Sequence, residues 1–352
     1  MNTPASASVI VINYNYARFL RQAIDSALAQ TAPNVEVIVV DDGSTDNSRE
    51  IIASYGERVR PVLKANGGQG SAFNAGFEVA TGDAIFFLDS DDAMLPETVA
   101  TVLSVWQPAA VLVQYRLQVV DADGNVLGIH PAPWEPLEEG DVVQLLLQTG
   151  GFAMSITSGL AYLRETLLKV MPLPPQIVNA ADGCLNRGVA LFGRVQRIDQ
   201  PLAIYRRHGG NDSDVAASAD RLASFFRKKI MYARNEHQFM RTLADRLGLA
   251  YAKDLGERNG DFLNFRLLSL CLDPEHHPLP EDDSFDLLQR YLKVRCFETD
   301  PLSRRVADMA TALGLCVLRG EARSTLVRWR VEPRARPAWL QRASALLKSG
   351  RP

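Results

Sequence analysis

The sequence predicts an α/β fold: a Rossmann-like, mostly parallel sheet with helices on both faces, followed by a C-terminal helical region. Three features carry that expectation. Short β-branched runs alternate with amphipathic stretches through the first hundred residues, the rhythm of a doubly wound sheet. Two of those runs empty into acid: Val35 to Val40 leads into Asp41-Asp42, and Ala84 to Leu88 leads into Asp89-Ser90-Asp91-Asp92. Past about residue 215 the strand signals stop and helical segments with basic patches take over. The expected organisation is two halves of one α/β domain, 1–108 and 109–215, and a helical domain over 216–352.

Taken in order, Val9 to Ile12 is a β-branched run and reads as a buried strand. Phe19, Leu20, Ala23, Ile24, Ala27 and Leu28 recur at helical spacing. Val35 to Val40 is the second strand, and Ser44, Thr45 and Asp46 offer caps for a helix through Ile52. Val59 to Leu63 is a third strand, Asn66 to Gly70 a glycine-rich loop, Ala72 to Ala80 a helix, and Ala84 to Leu88 the fourth strand. Pro96 to Trp106 reads as a helix that Pro108 ends. Val111 to Val120 and Val126 to Ile129 flank Asp121-Ala122-Asp123-Gly124-Asn125, a hairpin turn. His130 to Asp141 reads as a surface loop, Leu163 to Met171 and Asp182 to Phe192 as helices, and Val195 to Ile204 as a returning strand. Leu222 to Leu247, Leu287 to Val294, Val306 to Leu318 and Trp339 to Leu347 are the helix candidates beyond.

Composition narrows the function classes. Of 352 residues, 47% are apolar and 22% charged, which is ordinary for a globular protein. A net charge of −3 gives no reason to expect a nucleic-acid partner. The four cysteines, Cys184, Cys271, Cys296 and Cys316, lack CxxC spacing, which argues against a zinc site or a disulfide framework and fits a reducing cytosol. Met1 to Ser8 has no basic and apolar leader pattern, and no apolar run approaches the ~20 residues of a membrane span. The sequon Asn211-Asp212-Ser213 therefore reads as chance.

The acid-terminated strands carry the chemistry. Asp89, Asp91 and Asp92 repel one another unless a cation or a set of donors compensates them. Hard oxygen ligands suit Mg²⁺ or Mn²⁺ with substrate phosphates completing the shell; the plainer reading is an N-cap, for which one carboxylate suffices. Asp41 and Asp42 suit hydrogen bonds to a base or ribose at a sheet's carboxyl edge, or a simple Asp-Gly-Ser turn. In Asn13-Tyr14-Asn15-Tyr16, Tyr14 suits stacking on a base, or packing on its own loop. Asp182 opens a helix, where it is either an N-cap or a general base. Arg206, Arg207 and His208 form a basic segment suited to a diphosphate, with His208 also suited to a metal; a solvated loop is the alternative. Gly68-Gln69-Gly70-Ser71-Ala72-Phe73 fails as a dinucleotide fingerprint, because Phe73 stands at the third glycine position.

Val9-Ile10-Val11-Ile12-Asn13-Tyr14-Asn15, Ile38-Val39-Val40-Asp41-Asp42-Gly43-Ser44-Thr45-Asp46 and Phe87-Leu88-Asp89-Ser90-Asp91-Asp92 together resemble the family 2 glycosyltransferases of the GT-A fold. Asn66-Gly67-Gly68 and Asn74-Ala75-Gly76 match the same family's habit. The resemblance is strongest over 8 to 100, extends to about 212, and stops there. It implies an inverting enzyme that takes a sugar from a nucleotide diphosphate, usually UDP- or dTDP-linked, with Mn²⁺ or Mg²⁺. Residues 1–108 then become the nucleotide-sugar half and 109–215 the acceptor half. The implied donor contacts are Asn13, Tyr14, Asn15, Asp41, Asp42, Asn66, Asn74, Asp89, Ser90, Asp91, Arg206 and His208. Asp91, Asp92 and His208 are the implied metal ligands, and Asp182 the implied general base. The acidic residue that usually precedes that base is replaced by Ala181. The implied setting is bacterial polysaccharide or glycoconjugate assembly in the cytoplasm, with a saccharide or lipid-linked saccharide acceptor.

Two rivals compete. A haloacid-dehalogenase-like phosphatase also places Asp-x-Asp after a strand, but it wants Thr or Val where Ala93 stands and leaves Tyr14 and Asp41-Asp42 unused. A non-catalytic nucleotide-sugar-binding scaffold would account for Ala181. Leu326 to Leu347, with arginines beside Trp329, Trp339, Leu340, Leu346 and Leu347, predicts peripheral contact with an anionic membrane, or an ordinary helix docked on the core.

Overall fold

The computed structural model describes residues 3–211, 219–297, 302–331 and 337–338. The chain divides into two compact units, Met1–Asn211 with Asn235–Ala252, and Asp212–Arg234 with Lys253–Pro352. In the first unit run β1 (Ala7–Asn13), α1 (Ala17–Leu28), β2 (Val35–Asp42), α2 (Ser48–Ala53), β3 (Arg60–Lys64), α3 (Gly68–Val79), β4 (Ala84–Asp89), β5 (Ala93–Met94), α4 (Thr98–Val105), β6 (Ala110–Val120), β7 (Val126–His130), α5 (Val143–Thr149), β8 (Leu160–Leu163), α6 (Arg164–Val170), α7 (Ala181–Ala190) and β9 (Arg194–Arg206). One long helix, α8 (Ala219–Leu247), contributes to both units.

The nine strands form one sheet in the order β3-β2-β1-β4-β8-β6-β9-β5, with β7 on β6. β3, β2, β1 and β4 are parallel neighbours, and β6 with β9 is a second parallel pair. Because β1 lies between β2 and β4, its end is flanked on both sides by acid: Asn13 pairs with Asp41, and Ile12 with Asp89.

Alternation along the strands sets the two faces. Val9, Val11, Val37, Val39, Phe86 and Leu88 pack with Leu20 and Ile24 of α1 in one core cluster. On the opposite face Phe87 stacks on Phe73 of α3 at 4.3 Å and meets the edge of Tyr162 of β8 at 5.9 Å. Both strand faces are buried, which is why the runs read as continuously apolar.

Several elements were not expected. β8 inserts antiparallel between β4 and β6; its four residues are all buried and merge in sequence with the following helix. β5, α5, α9 (Gly260–Leu272) and α12 (Gly320–Val331) also escaped the periodicity. α9 is apolar on several sides and shows no clean stripe. β9 is longer than its apolar run and contains Pro201, which falls where the register with β6 shifts, a place that tolerates a missing N–H.

The second unit contains α9, α10 (Ser284–Phe297), α11 (Leu302–Val317) and α12 around Leu263, Leu267, Leu287, Tyr291 and Leu315. Arg266 is buried there between Glu257 and Asp282, its Nε donating to Asp282 Oδ2 at 2.8 Å. The helix expected at Trp339 to Leu347 lies outside the described residues. Among those described, no helix is long and apolar enough to cross a membrane.

Phe87→Ala empties the space between α3 and β8. The expected loss is about 3–5 kcal/mol, read as a lower urea midpoint.

Candidate active site

The site is built where β1, β2 and β4 end. Asn13 donates from Nδ2 to Asp41 Oδ1 at 3.1 Å and to Ser44 Oγ at 3.1 Å. Asp41 also accepts from Arg49 Nε at 2.8 Å and from the Ser44 amide at 3.1 Å. Burial alone would raise the Asp41 carboxyl, but the hydrogen bonds from Ser44, Arg49 and Asn13 outweigh it and hold the group below its ordinary value. Asn15 adopts a left-handed φ of 59° and accepts the Thr45 amide at 2.7 Å. Gly43 has φ +80°, and a Cβ there would meet the Asn66 backbone nitrogen at 2.5 Å. The loop carrying Asn66 can close on β2 only because that position is glycine. Tyr14 stands 47% exposed over this edge.

Asp42, expected at the base, is 3% exposed, and Asp41 beside it is 0% exposed. Asp42 pairs with Lys64 at 2.5 Å and accepts the Gly67 and Gly68 amides at 3.0 and 2.7 Å. A carboxylate on these amides satisfies orphan donors at the N-terminus of α3. Asn74 is also structural: it exchanges two hydrogen bonds with the Leu173 backbone, at 2.9 and 2.8 Å.

The carboxylates after β4 part company. The buried Ser90 spends its amide on Ile12 O at 3.1 Å. Asp91 Oδ2 lies 3.0 Å from His208 Nε2 and 3.2 Å from Asn211 Nδ2. The His208 ring is held by Tyr16 at 5.4 Å and Phe19 at 4.9 Å, and its amide donates to Asn211 Oδ1 at 2.9 Å. Asp92 is 2% exposed and accepts the Arg206 amide at 2.9 Å. Burial, with Asp91 and Asp89 close by, pushes its carboxyl well above the ordinary range. Arg206, expected at the diphosphate, is 4% exposed instead. Its guanidinium reaches Gln22 Oε1 at 2.6 Å and Asp91 O at 3.1 Å and lies over the Phe19 ring.

Asp182 sits in the first turn of α7, after Ala180 at φ 52°. The helix is pinned by Gln69 Oε1, which accepts the Ala181 amide at 2.8 Å, and by a hydrogen bond from the Tyr162 hydroxyl to Asn186. Glu236 of α8 pairs with Arg187 at 3.1 Å and packs so close that a Cβ on Gly183 would meet its Oε1 at 2.0 Å. Asp182 Oδ2 accepts from Thr157 Oγ1 at 3.3 Å. Burial, then the charges of Asp91 and Asp182, push the Asp89 carboxyl up to about 8, against a hydrogen bond from Thr157.

A Mg²⁺ or Mn²⁺ ion holding ligands at about 2.1 Å in an octahedron keeps neighbouring ligands about 3.0 Å apart. The spacing of Asp91 Oδ2 and His208 Nε2 meets that requirement. Among the described residues no three His, Cys, Asp or Glu side chains converge on a metal position. The pair therefore fits an ion that substrate and water complete, and the inward-turned Asp92 stands outside the pair.

The fold thus gathers Asp89, Asp91, His208 and Asp182 and leaves Asp42, Asn74, Asp92 and Arg206 in supporting positions. Sequence reasoning missed Lys64, Arg49, Asn211, Thr157 and Ser158. Only Asn211 had a local signal, since its position three residues past His208 suits closing the loop.

Residues 8–167 match Glycosyl transferase family 2. An uncharacterised glycosyltransferase of Nostoc sp. (strain PCC 7120) is 43% identical over 219 residues, 60% of this chain and 68% of that protein. An uncharacterised glycosyltransferase of Rickettsia prowazekii is 46% identical over 92 residues, 26% of this chain and 29% of that protein. Among solved structures, S. aureus TarS 1–349 in complex with UDP-GlcNAc superposes with a TM-score of 0.51 at 17% identity, over 93% of this chain and 92% of that one. At that identity the likeness is one of fold.

Asp41 stabilises the folded state while it is ionised, because its folded pKa lies below its unfolded one. That contribution is present above the ordinary value near 4 and is lost as pH falls through the folded value. Asp41→Asn is expected to cost about 1–3 kcal/mol at pH 7. The gap to wild type in urea midpoint narrows as the titration is repeated below pH 4.

Proposed function

The chain belongs to Glycosyl transferase family 2, and from that membership we propose that it moves a sugar from a UDP- or dTDP-sugar to an acceptor hydroxyl with inversion. The observation that carries this reading is the meeting of Asp91 and His208 with Asp89 and Asp182 at one sheet edge. Family membership sets aside the phosphatase reading.

The donor's base and ribose are assigned to the edge formed by Asn13, Tyr14, Asn15, Asp41 and Asn66, in which Asn13 and Asp41 are fully buried and the exposed Tyr14 is placed to stack. Its diphosphate is assigned to the Asp91–His208 pair. A bound Mn²⁺ or Mg²⁺ supplies Lewis-acid neutralisation of the departing diphosphate there. Asp182 takes the proton of the acceptor hydroxyl. The acceptor oxygen forms its bond to the anomeric carbon as the bond to the diphosphate breaks, and the electron pair leaves with the diphosphate. One direct displacement inverts the centre. The division into a donor half, 1–108, and an acceptor half, 109–215, follows the same assignment. A saccharide or lipid-linked saccharide acceptor, bacterial polysaccharide or glycoconjugate assembly, and peripheral membrane contact complete the proposal.

A thermal-shift screen of UDP, dTDP, GDP and CDP with Mn²⁺, Mg²⁺ or EDTA tests the donor site. A ligand at 100 Kd adds about 2.7 kcal/mol to the folded state. The expected result is a rise with UDP or dTDP that EDTA abolishes; a flat response to all four nucleotides rejects the donor site. Asp182→Asn is expected to keep that nucleotide response and lose about 10²–10⁴-fold in transfer rate. Normal transfer by this variant rejects Asp182 as base.

A further inference from the structure

We infer that Thr157 is a positioning residue that aims Asp182, an inference that rests on Asp182 being the general base. Thr157 belongs to a tight turn, Thr157–Gly159, just ahead of β8. The turn touches both acid-bearing elements. Thr157 Oγ1 donates to Asp182 Oδ2 at 3.3 Å and lies close enough to Asp89 to influence its carboxyl. Ser158 Oγ accepts the Asp89 amide at 3.2 Å and is hydrogen-bonded to the Asp92 carboxyl. Ser158 therefore fastens the turn to the end of β4, and Thr157 fastens it to the start of α7.

The turn itself has no slack. Thr157, Ser158 and Gly159 are all buried. A Cβ on Gly159 would meet Ser155 Oγ at 2.1 Å and Tyr115 O at 2.8 Å. Ser155 Oγ in turn donates to Tyr115 O at 2.7 Å. The Thr157 hydroxyl is consequently held by the sheet, and it transmits that rigidity to a carboxylate on a helix.

One consequence follows: the hydrogen bond from Thr157 engages Asp182 Oδ2, so Oδ1 is the oxygen left to face an acceptor. A base that swings away from the acceptor loses the alignment on which proton transfer depends. Thr157 moves no proton and touches no substrate in this assignment; it acts through Asp182.

The test compares wild type, Thr157→Val, Thr157→Ser and Asp182→Asn by UDP release from UDP-GlcNAc in Mn²⁺, with kcat and KM separated and the thermal shift by UDP recorded for each. Thr157→Val keeps the shape and removes the hydroxyl. The expected result is a fall of about tenfold or more in kcat, with KM and the UDP shift unchanged and Thr157→Ser close to wild type. Wild-type kcat in Thr157→Val beside an impaired Asp182→Asn overturns the positioning role alone. A change confined to KM also overturns it, because it places Thr157 at the donor. Wild-type kcat in Asp182→Asn instead removes the base reading and the inference with it. A crystal structure of Thr157→Val gives a reading without turnover. An Asp182 carboxylate rotated from its wild-type orientation supports the role, and an unmoved one overturns it.

Discussion

The constraint on which the site depends is the repulsion among carboxylates gathered where β1, β2 and β4 end. Asp89, Asp91 and Asp92 follow one strand within four residues, Asp41 and Asp42 follow its near neighbour, and Asp182 arrives from α7. Like charges this close cannot all stand ionised without compensation. The fold answers each differently. Asp41 has Arg49 and two amide or hydroxyl donors, Asp42 has Lys64 and the first amides of α3, and Asp92 is buried against the Arg206 amide. Asp91 leans on an imidazole and an amide nitrogen.

A second dependence runs through the end of β9. Arg206 is buried under Phe19 and reaches across to Gln22, Asp91 and Asp121, while the next residues carry His208 and Asn211 to the Asp91 carboxylate. The arginine fixes the strand end, and the histidine two residues on inherits its position. Likewise Tyr162, Gln69 and Glu236 fasten α7 so that Asp182 opens it at a fixed place.

The match to Glycosyl transferase family 2 covers residues 8–167, within the first unit, and the likeness to S. aureus TarS 1–349 is a likeness of fold. The second unit has its own core and its own buried ion pairs around Arg266. Removing one partner of such a pair leaves the other charge buried without compensation.

The α/β alternation, the two acid-terminated strands and the helical C-terminal region were legible because each is a local property of the chain. β-branched runs make strands, 3.6-residue periodicity makes helices, and carboxylates after an apolar run lie at a sheet's edge. The motif residues Asp91, His208 and Asp182 were legible for the same reason, as short patterns with fixed neighbours. What the sequence could not supply was direction. Asp41 and Asp42 are both buried, each on its own set of donors, and Asp92 turns inward beside the more open Asp91. Arg206 reads as a phosphate ligand until its burial beneath Phe19 is seen. Thr157 and Ser158 carry no local mark at all, because their partners lie 25 and 69 residues away. The chain determined which polar groups stand at the ends of its strands; tertiary packing alone decided which of them are buried and what each is paired with, because those partners lie on segments distant in sequence.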